Sequence, residues 1–361
     1  MRSHTLKYYK HSLRVYWNRL LGREFVEANK SPCIEISGVC NLNCVFCAYR
    51  EKSEAKVVMS TEAFARHVDQ LVQLGYGHFG LTPQTGDVFV DKHVADKLDV
   101  LEAHPGVTGY EFITNLIGAS PETLKHMMGL KKLTRMYISL YGRDADSFQK
   151  ITDRKSHQFD RLVANLDTLA DLSPEFQGVL GSFIMTDSDF SWSPFDAPQG
   201  EEPPLLAAVR RLAQSAPRFD WSGNHIDFDS WGGRVTQQTL DNLGMGFNLV
   251  GPTVPMAGPC SMLFGGFIVL ADGKVNACAC RAVDSSLVIG DANVQPLAEI
   301  LHPDNPAYRV ILERHRKSDY PDACRDCKIF TSIHRRKRHA DTVTVEQYLE
   351  AQRERCSGRK A

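Results

Sequence analysis

No apolar run in these 361 residues is long enough to cross a bilayer, which excludes a bundle of membrane-spanning helices. Neither sign of charge dominates, since 42 Lys and Arg stand against 43 Asp and Glu for a formal net charge of −1. The molecule as a whole therefore has no field to draw it to nucleic acid or to an anionic membrane. No charged start leads into an apolar core and a small-residue cleavage site, and there is neither an internal repeat nor a low-complexity segment. With 43% hydrophobic and 24% charged residues, the expectation is a folded cytoplasmic chain with a substantial core. Cysteine is what the sequence does have, ten of them in a compartment where clustered thiols more often bind metal or do chemistry than form disulfides.

Residues 1–30 hold seven Lys or Arg against two Glu, interleaved with Tyr8, Tyr9, Tyr16, Trp17 and Leu20, and read as a basic amphipathic helix packed across the end of the main domain. From residue 33, strand-like and helix-like segments alternate: CIEISGV, GHFGLTP, YEFITN, RMYISLY and GVLGSFIMT are strands, and a sixth strand candidate lies at NHIDFDSWGG. Repeated strand-then-helix units imply a parallel sheet with active residues at the carboxyl ends of its strands. The pattern breaks near residue 235, where a Pro/Gly linker over 236–254 precedes a hairpin with Asp272-Gly273 at its turn. A small second domain spans 255–332, and residues 333–361 end in a helix opened by the capping-box pattern Thr344 to Gln347.

Cys40, Cys44 and Cys47 follow the first strand with C-x3-C-x2-C spacing, so one loop can wrap three thiolates around a single centre. A structural zinc site or a fully ligated cubane cluster wants four; three leave one iron open to another ligand. The spacing resembles that of the radical S-adenosylmethionine (SAM) superfamily, and the resemblance extends over residues 31–235. It implies a partial (β/α)6 barrel, within an α/β fold class, and a [4Fe-4S] cluster whose open iron holds SAM. It also implies that Phe46, just before the third cysteine, lies near the adenine. Thr85-Gly86-Asp87 stands where the family has a Gly-Gly-Glu-like turn for the methionine amino group, with a shortened carboxylate. Thr114-Asn115-Leu116 matches a Thr-Asn-Gly-like turn, and Ser139 and Arg154 match residues that approach the ribose or carboxylate of SAM.

Cys260, Cys278 and the pair Cys324-x-x-Cys327 make a second group of four thiols, a set that closes around zinc or a cubane cluster. Beside the first motif, this segment resembles the α+β auxiliary-cluster domain of SPASM and twitch radical SAM enzymes. The full SPASM form continues with two more cysteines that this chain lacks, so the resemblance implies the twitch form with one auxiliary [4Fe-4S] cluster. Cys33 reads as a small buried hydrophobe and Cys356 takes no role. Cys280, two residues from Cys278, replaces it as ligand, fills a core, or faces the substrate as a hydrogen-atom donor.

In the radical SAM reading, an electron from a flavodoxin- or ferredoxin-type reductant splits SAM, and the resulting radical removes hydrogen from an unactivated carbon. Loss of the substrate electron through the auxiliary cluster gives dehydrogenation; hydrogen return from a thiol such as Cys280 gives epimerisation. The expected partner is a small polar, carbohydrate-like metabolite, with Asp227, Asp229, Trp231 and Arg234 supplying polar groups and an aromatic wall at the barrel mouth. No stable nucleic-acid or membrane partner is expected. A SPASM-type peptide maturase, an RNA-modifying enzyme and a nonenzymatic metal scaffold are the alternatives.

Overall fold

The computed structural model describes residues 12–52, 55–198, 200–252, 254–279, 282–336 and 341–358. Six parallel strands follow one another in sequence order: β1 (Cys33–Ile34), β2 (His78–Gly80), β3 (Gly109–Thr114), β4 (Leu133–Tyr141), β5 (Val179–Met185) and β6 (Phe219–Asn224). Helices return the chain between them: α1 (Thr61–Gln73), α2 (Val94–Ala103), α3 (Pro121–Met128), α4 (Ala145–Thr152), α5 (Ser156–Leu172) and α6 (Pro204–Ser215). Parallel pairing needs such crossovers, and they cover one face of the sheet with apolar stripes. Phe64, Val68 and Leu71 of α1 and Leu162, Leu166 and Leu169 of α5 are all fully buried. Local chemistry starts these helices where they begin: Ser60 and Ser120 accept backbone N–H bonds as N-caps, and Asp144 and Ser147 form a reciprocal capping box.

The sheet does not stop at β1. The hairpin of β7 (Ile268–Val269) and β8 (Lys274–Asn276) adds to its open edge, with β7 parallel to β1 in the register Ile268 to Cys33 and Val269 to Ile34. β9 (Val288–Asp291) completes a nine-stranded mixed sheet in the order β9-β8-β7-β1-β2-β3-β4-β5-β6. Asp272-Gly273 makes the turn: Gly273 sits at φ 87°, and Lys274 N–H bonds the Asp272 carboxylate at 3.1 Å. The fold is thus an α/β partial barrel with a small C-terminal α+β domain that shares the barrel's sheet through one parallel strand pair.

Three expectations need correction. The sixth strand is Phe219–Asn224 rather than NHIDFDSWGG; Asp227–Phe228 pairs instead with Asn248–Leu249 in a separate two-stranded ribbon. An edge strand is covered on one side only, so its weak apolar alternation is a poor signal. The segment 236–254 is no bare linker, since it holds that ribbon strand and a helical turn at Gln237–Asp241 capped by Thr236. The N-terminal helix covers only 12–20 among the described residues and gives way at Gly22, φ 62°, to the strand Phe25–Glu27, which pairs antiparallel with Thr342–Thr344. Val15 is buried on this helix, but Leu13, Tyr16, Trp17 and Leu20 are exposed, and Asn18 bonds the His334 carbonyl of the C-terminal segment at 2.9 Å. Residues 1–11 lie outside the described residues.

Candidate active site

Four strand ends meet at one cavity of about 150 Å3. The loop after β1 brings Cys40, Cys44, Phe46 and Cys47; the loop after β2 brings Gln84, Thr85, Gly86 and Asp87; β3 ends in Thr114 and Asn115; and β4 contributes Ser139 and Tyr141 from one face. Of the residues singled out for this site from the sequence, Arg154 alone is not in the lining. Its Nε donates to the Asn41 carbonyl at 2.9 Å, within the cysteine loop itself.

The loop is held by backbone bonds to the end of α4, Asn43 N–H to Thr152 O at 3.1 Å and Val45 N–H to Ile151 O at 3.0 Å. Within it, Cys47 N–H reaches Cys44 O at 3.1 Å and Leu42 N–H points at the Cys40 sulfur at 3.4 Å. Burial pushes the Cys40 thiol up to about 12, with the Asp87 carboxylate adding to the effect. Cys44 is pushed up further by burial and then by Cys47 and Cys40. Thiols that resist ionising when crowded and dry are those that a cation in their midst would ionise outright.

Gly86 is fixed by close approach. A Cβ there would land against the Ser37 carbonyl oxygen and 3.2 Å from that of Val39, at the root of the cysteine loop. Asp87 N–H bonds Val39 O at 2.9 Å, so turn and loop are one unit. The buried Asp87 carboxylate accepts from Thr114 Oγ1 at 2.9 Å, Asn115 N–H at 2.8 Å and Phe89 N–H at 3.0 Å. Burial raises its pKa to about 6 against the lowering effect of those donors. Two oxygens offer about four acceptor positions, so three donors leave roughly one for a ligand. Asn115 Nδ2 in turn bonds Asn41 Oδ1 at 2.7 Å, with the Cys40 sulfur 3.9 Å away. Leu116 sits in the left-handed region at φ 64°, fully buried, its N–H bonded to Thr114 Oγ1 at 2.9 Å.

Phe46 is buried and stacks on Phe228, ring centroids 4.6 Å apart, with Tyr141 at 5.8 Å. Neither partner was singled out from the sequence. Tyr141 was within reach, two residues beyond Ser139 on the same strand face; Phe228 comes from the ribbon mistaken for a barrel strand. Gln84 was missed as well. Its Nε2 donates to the Cys278 carbonyl at 2.8 Å, which ties the wall of this cavity to the second cysteine group.

Cys260, Cys278, Cys324 and Cys327, from three segments spread over the C-terminal domain, line a single smaller space of about 20 Å3. Ser261 N–H bonds Thr331 O at 2.7 Å and Thr331 N–H points at the Cys260 sulfur at 3.5 Å, while Cys327 N–H bonds Cys324 O at 3.2 Å. Burial and then the neighbouring Cys278 push Cys260 up to about 11; burial, then Asp229 and then Cys278 push Cys327 up to about 12. Cys280 lies outside the described residues.

Two sequence models match the chain. The radical SAM superfamily model covers residues 34–191, and a SPASM model, described as an iron-sulfur cluster-binding domain, covers residues 260–328. The chain carries a radical SAM domain followed by a C-terminal SPASM-type iron–sulfur domain. No curated protein matches it in sequence. Among solved structures, Streptococcus suis SuiB bound to precursor peptide SuiA is similar at 12% identity and TM-score 0.54, over 92% of this chain and 75% of that one. SuiB bound to S-adenosylmethionine is similar at 13% identity and TM-score 0.52, over 86% and 71%. BtrN in complex with AdoMet and 2-DOIA is similar at 14% identity and TM-score 0.48, over 82% and 92%.

The small polar partner expected from the sequence is corrected at this point. SuiB, which shares the fold over most of the chain, is bound to a precursor peptide. The loop meant to greet a polyhydroxylated ligand is also engaged internally. Asp227 Oδ1 accepts from Asn248 at 3.2 Å, buried Asp229 accepts the Trp231 N–H at 3.1 Å, and Arg234 reaches the Trp231 carbonyl at 3.1 Å and Asp284 at 3.5 Å.

Proposed function

We propose that this enzyme is a SPASM-type peptide maturase, which cleaves SAM reductively and abstracts hydrogen from a residue of a peptide substrate. The observation that carries the reading is the engagement of Asp227 with Asn248, of Asp229 with the Trp231 N–H and of Arg234 with the Trp231 carbonyl and Asp284, which commits these groups to the protein rather than to a sugar. The fold shared with SuiB supports it. The cavity fits SAM on its own chemistry: Thr85 Oγ1 and Gln84 Oε1 are buried there without a hydrogen-bond partner, two polar atoms suited to a ligand with an amino-acid end. Cys40, Cys44 and Cys47 would hold a [4Fe-4S] cluster, and Cys260, Cys278, Cys324 and Cys327 one auxiliary cluster. When bound, the first cluster and SAM supply a 5′-deoxyadenosyl radical.

The chain's own residues do the rest. Asp87 pins Thr114 and Asn115, and through Asn115 it steadies Asn41 beside Cys40. Phe46, backed by Phe228, presents an apolar wall suited to a purine ring, and Ser139 offers a hydroxyl from the floor. Gln84 holds the wall between the two thiol groups at fixed separation, and the buried lining excludes water from the reacting carbon. Clustered thiols of this kind suit a cytoplasmic setting, in which cysteines are kept reduced.

The test is an anaerobic assay of 5′-deoxyadenosine formation with the low-molecular-mass extract of the source cells, before and after protease treatment. Stimulation destroyed by protease is expected. Stimulation that survives it would sink the peptide reading.

A further inference from the structure

His315 lies in the helix Pro306–Arg316, fully buried, and neither of its ring nitrogens has a hydrogen-bond partner. Leaving a buried donor unsatisfied costs about 1–3 kcal/mol, so such a group calls for a partner. A neutral imidazole carries one N–H donor and one lone pair. His315 lines the same small space as Cys260, Cys278, Cys324 and Cys327. Among the described residues, every other side chain lining that space is a thioether or a hydrocarbon, such as Met262, Leu287, Ile329 and Phe330, and sulfur is the side-chain acceptor that this lining offers. The ring's plane is set from outside by the edge of Tyr320, centroids 4.9 Å apart at 85°, and the Tyr320 hydroxyl is itself fixed on the Gly258 carbonyl at 3.0 Å, two residues before Cys260.

We infer that His315 is a positioning residue of the auxiliary site, donating its N–H to a sulfur of the cluster held by the four thiols and so setting the cluster's reduction potential. The inference rests on the auxiliary cluster proposed above. A hydrogen bond to sulfur favours the reduced, more negative cluster, so it raises the potential. The gain for a peptide-modifying enzyme is an auxiliary cluster that accepts the substrate electron more readily.

The experiment is an anaerobic redox titration by electron paramagnetic resonance, in full-length protein carrying Cys40→Ala/Cys44→Ala/Cys47→Ala so that only the auxiliary cluster reports. His315→Phe keeps a ring against Tyr320 and removes the donor; His315→Gln restores an N–H. The expected result is a midpoint shifted to more negative potential in His315→Phe and returned toward the parent in His315→Gln, with iron per chain unchanged. An unchanged midpoint in His315→Phe at full iron content overturns the donor role, and so does an equal shift in both variants, which would mark packing alone. Loss of iron in both would mean that His315 is a ligand or holds the fold, which also overturns it. A parent that binds no iron at all would remove the auxiliary cluster itself, a failure told apart by being visible before His315 is touched.

Discussion

The two cysteine groups are built of the same element and surrounded by opposite things. Around Cys40, Cys44 and Cys47 the cavity is roomy and polar, with a carboxylate, two amides and six hydroxyls in its wall and two buried polar atoms without partners. Around Cys260, Cys278, Cys324 and Cys327 the space is small and mostly hydrocarbon-lined, with His315 the one polar side chain besides the thiols among the described lining residues. Three thiols with polar company suit a centre that must take a ligand; four with apolar company suit one that is closed and passes only electrons. The difference lies in the neighbours, and only secondarily in the count of sulfurs.

The largest effect that would break this comparison comes from removing each group in turn. Cys40→Ala/Cys44→Ala/Cys47→Ala should lower iron from about eight to about four per chain and abolish 5′-deoxyadenosine formation, whereas Cys324→Ala/Cys327→Ala should lower iron by the same amount and leave SAM cleavage measurable. Iron analysis beside product chromatography reads both, and loss of all iron in either variant would mean that the two regions assemble only together. Gly86→Ala probes the open site alone. Its new Cβ meets backbone rather than a flexible side chain, so overpacking of about 1–3 kcal/mol should weaken SAM binding about 5- to 150-fold by anaerobic calorimetry; an unchanged affinity would show that the turn can move away from Ser37 without cost. The smallest effect belongs to the link between the regions. Gln84→Ala deletes one buried hydrogen bond to Cys278, and at about 1 kcal/mol SAM should bind about fivefold more weakly with both clusters retained.

Much of the open site could be read in the chain because it is local: the three cysteines lie within one loop, the turns carrying Asp87 and Asn115 each follow a strand with clear apolar patterning, and Ser139 lies within such a strand. What could not be read is what arrives from a distance. Gln84 looks like an ordinary loop amide until Cys278 is brought to it, and Phe228 gains its place against Phe46 only once the ribbon Asp227–Phe228 has left the barrel sheet. The polar loop at Asp229 misled for the same reason. Its residues have the chemistry of a sugar site, and nothing in their spacing reveals that each already has a partner across the loop. The exposed Leu13, Trp17 and Leu20 were equally hidden, since an amphipathic pattern states that a face is apolar and not that anything covers it.

The pairing of β7 with β1 carries a consequence for how the chain is made. Ile268 leaves the ribosome 235 residues after Cys33, its partner across the sheet (268 − 33). At about 5–20 residues per second, that interval is roughly 12 to 47 s. Throughout it the first strand has one edge without its neighbour, and the loop of three cysteines hangs from that strand beside a wall whose far anchor, the Cys278 carbonyl, has not yet been synthesised. The finished pocket is therefore a product of the whole chain rather than of its N-terminal half.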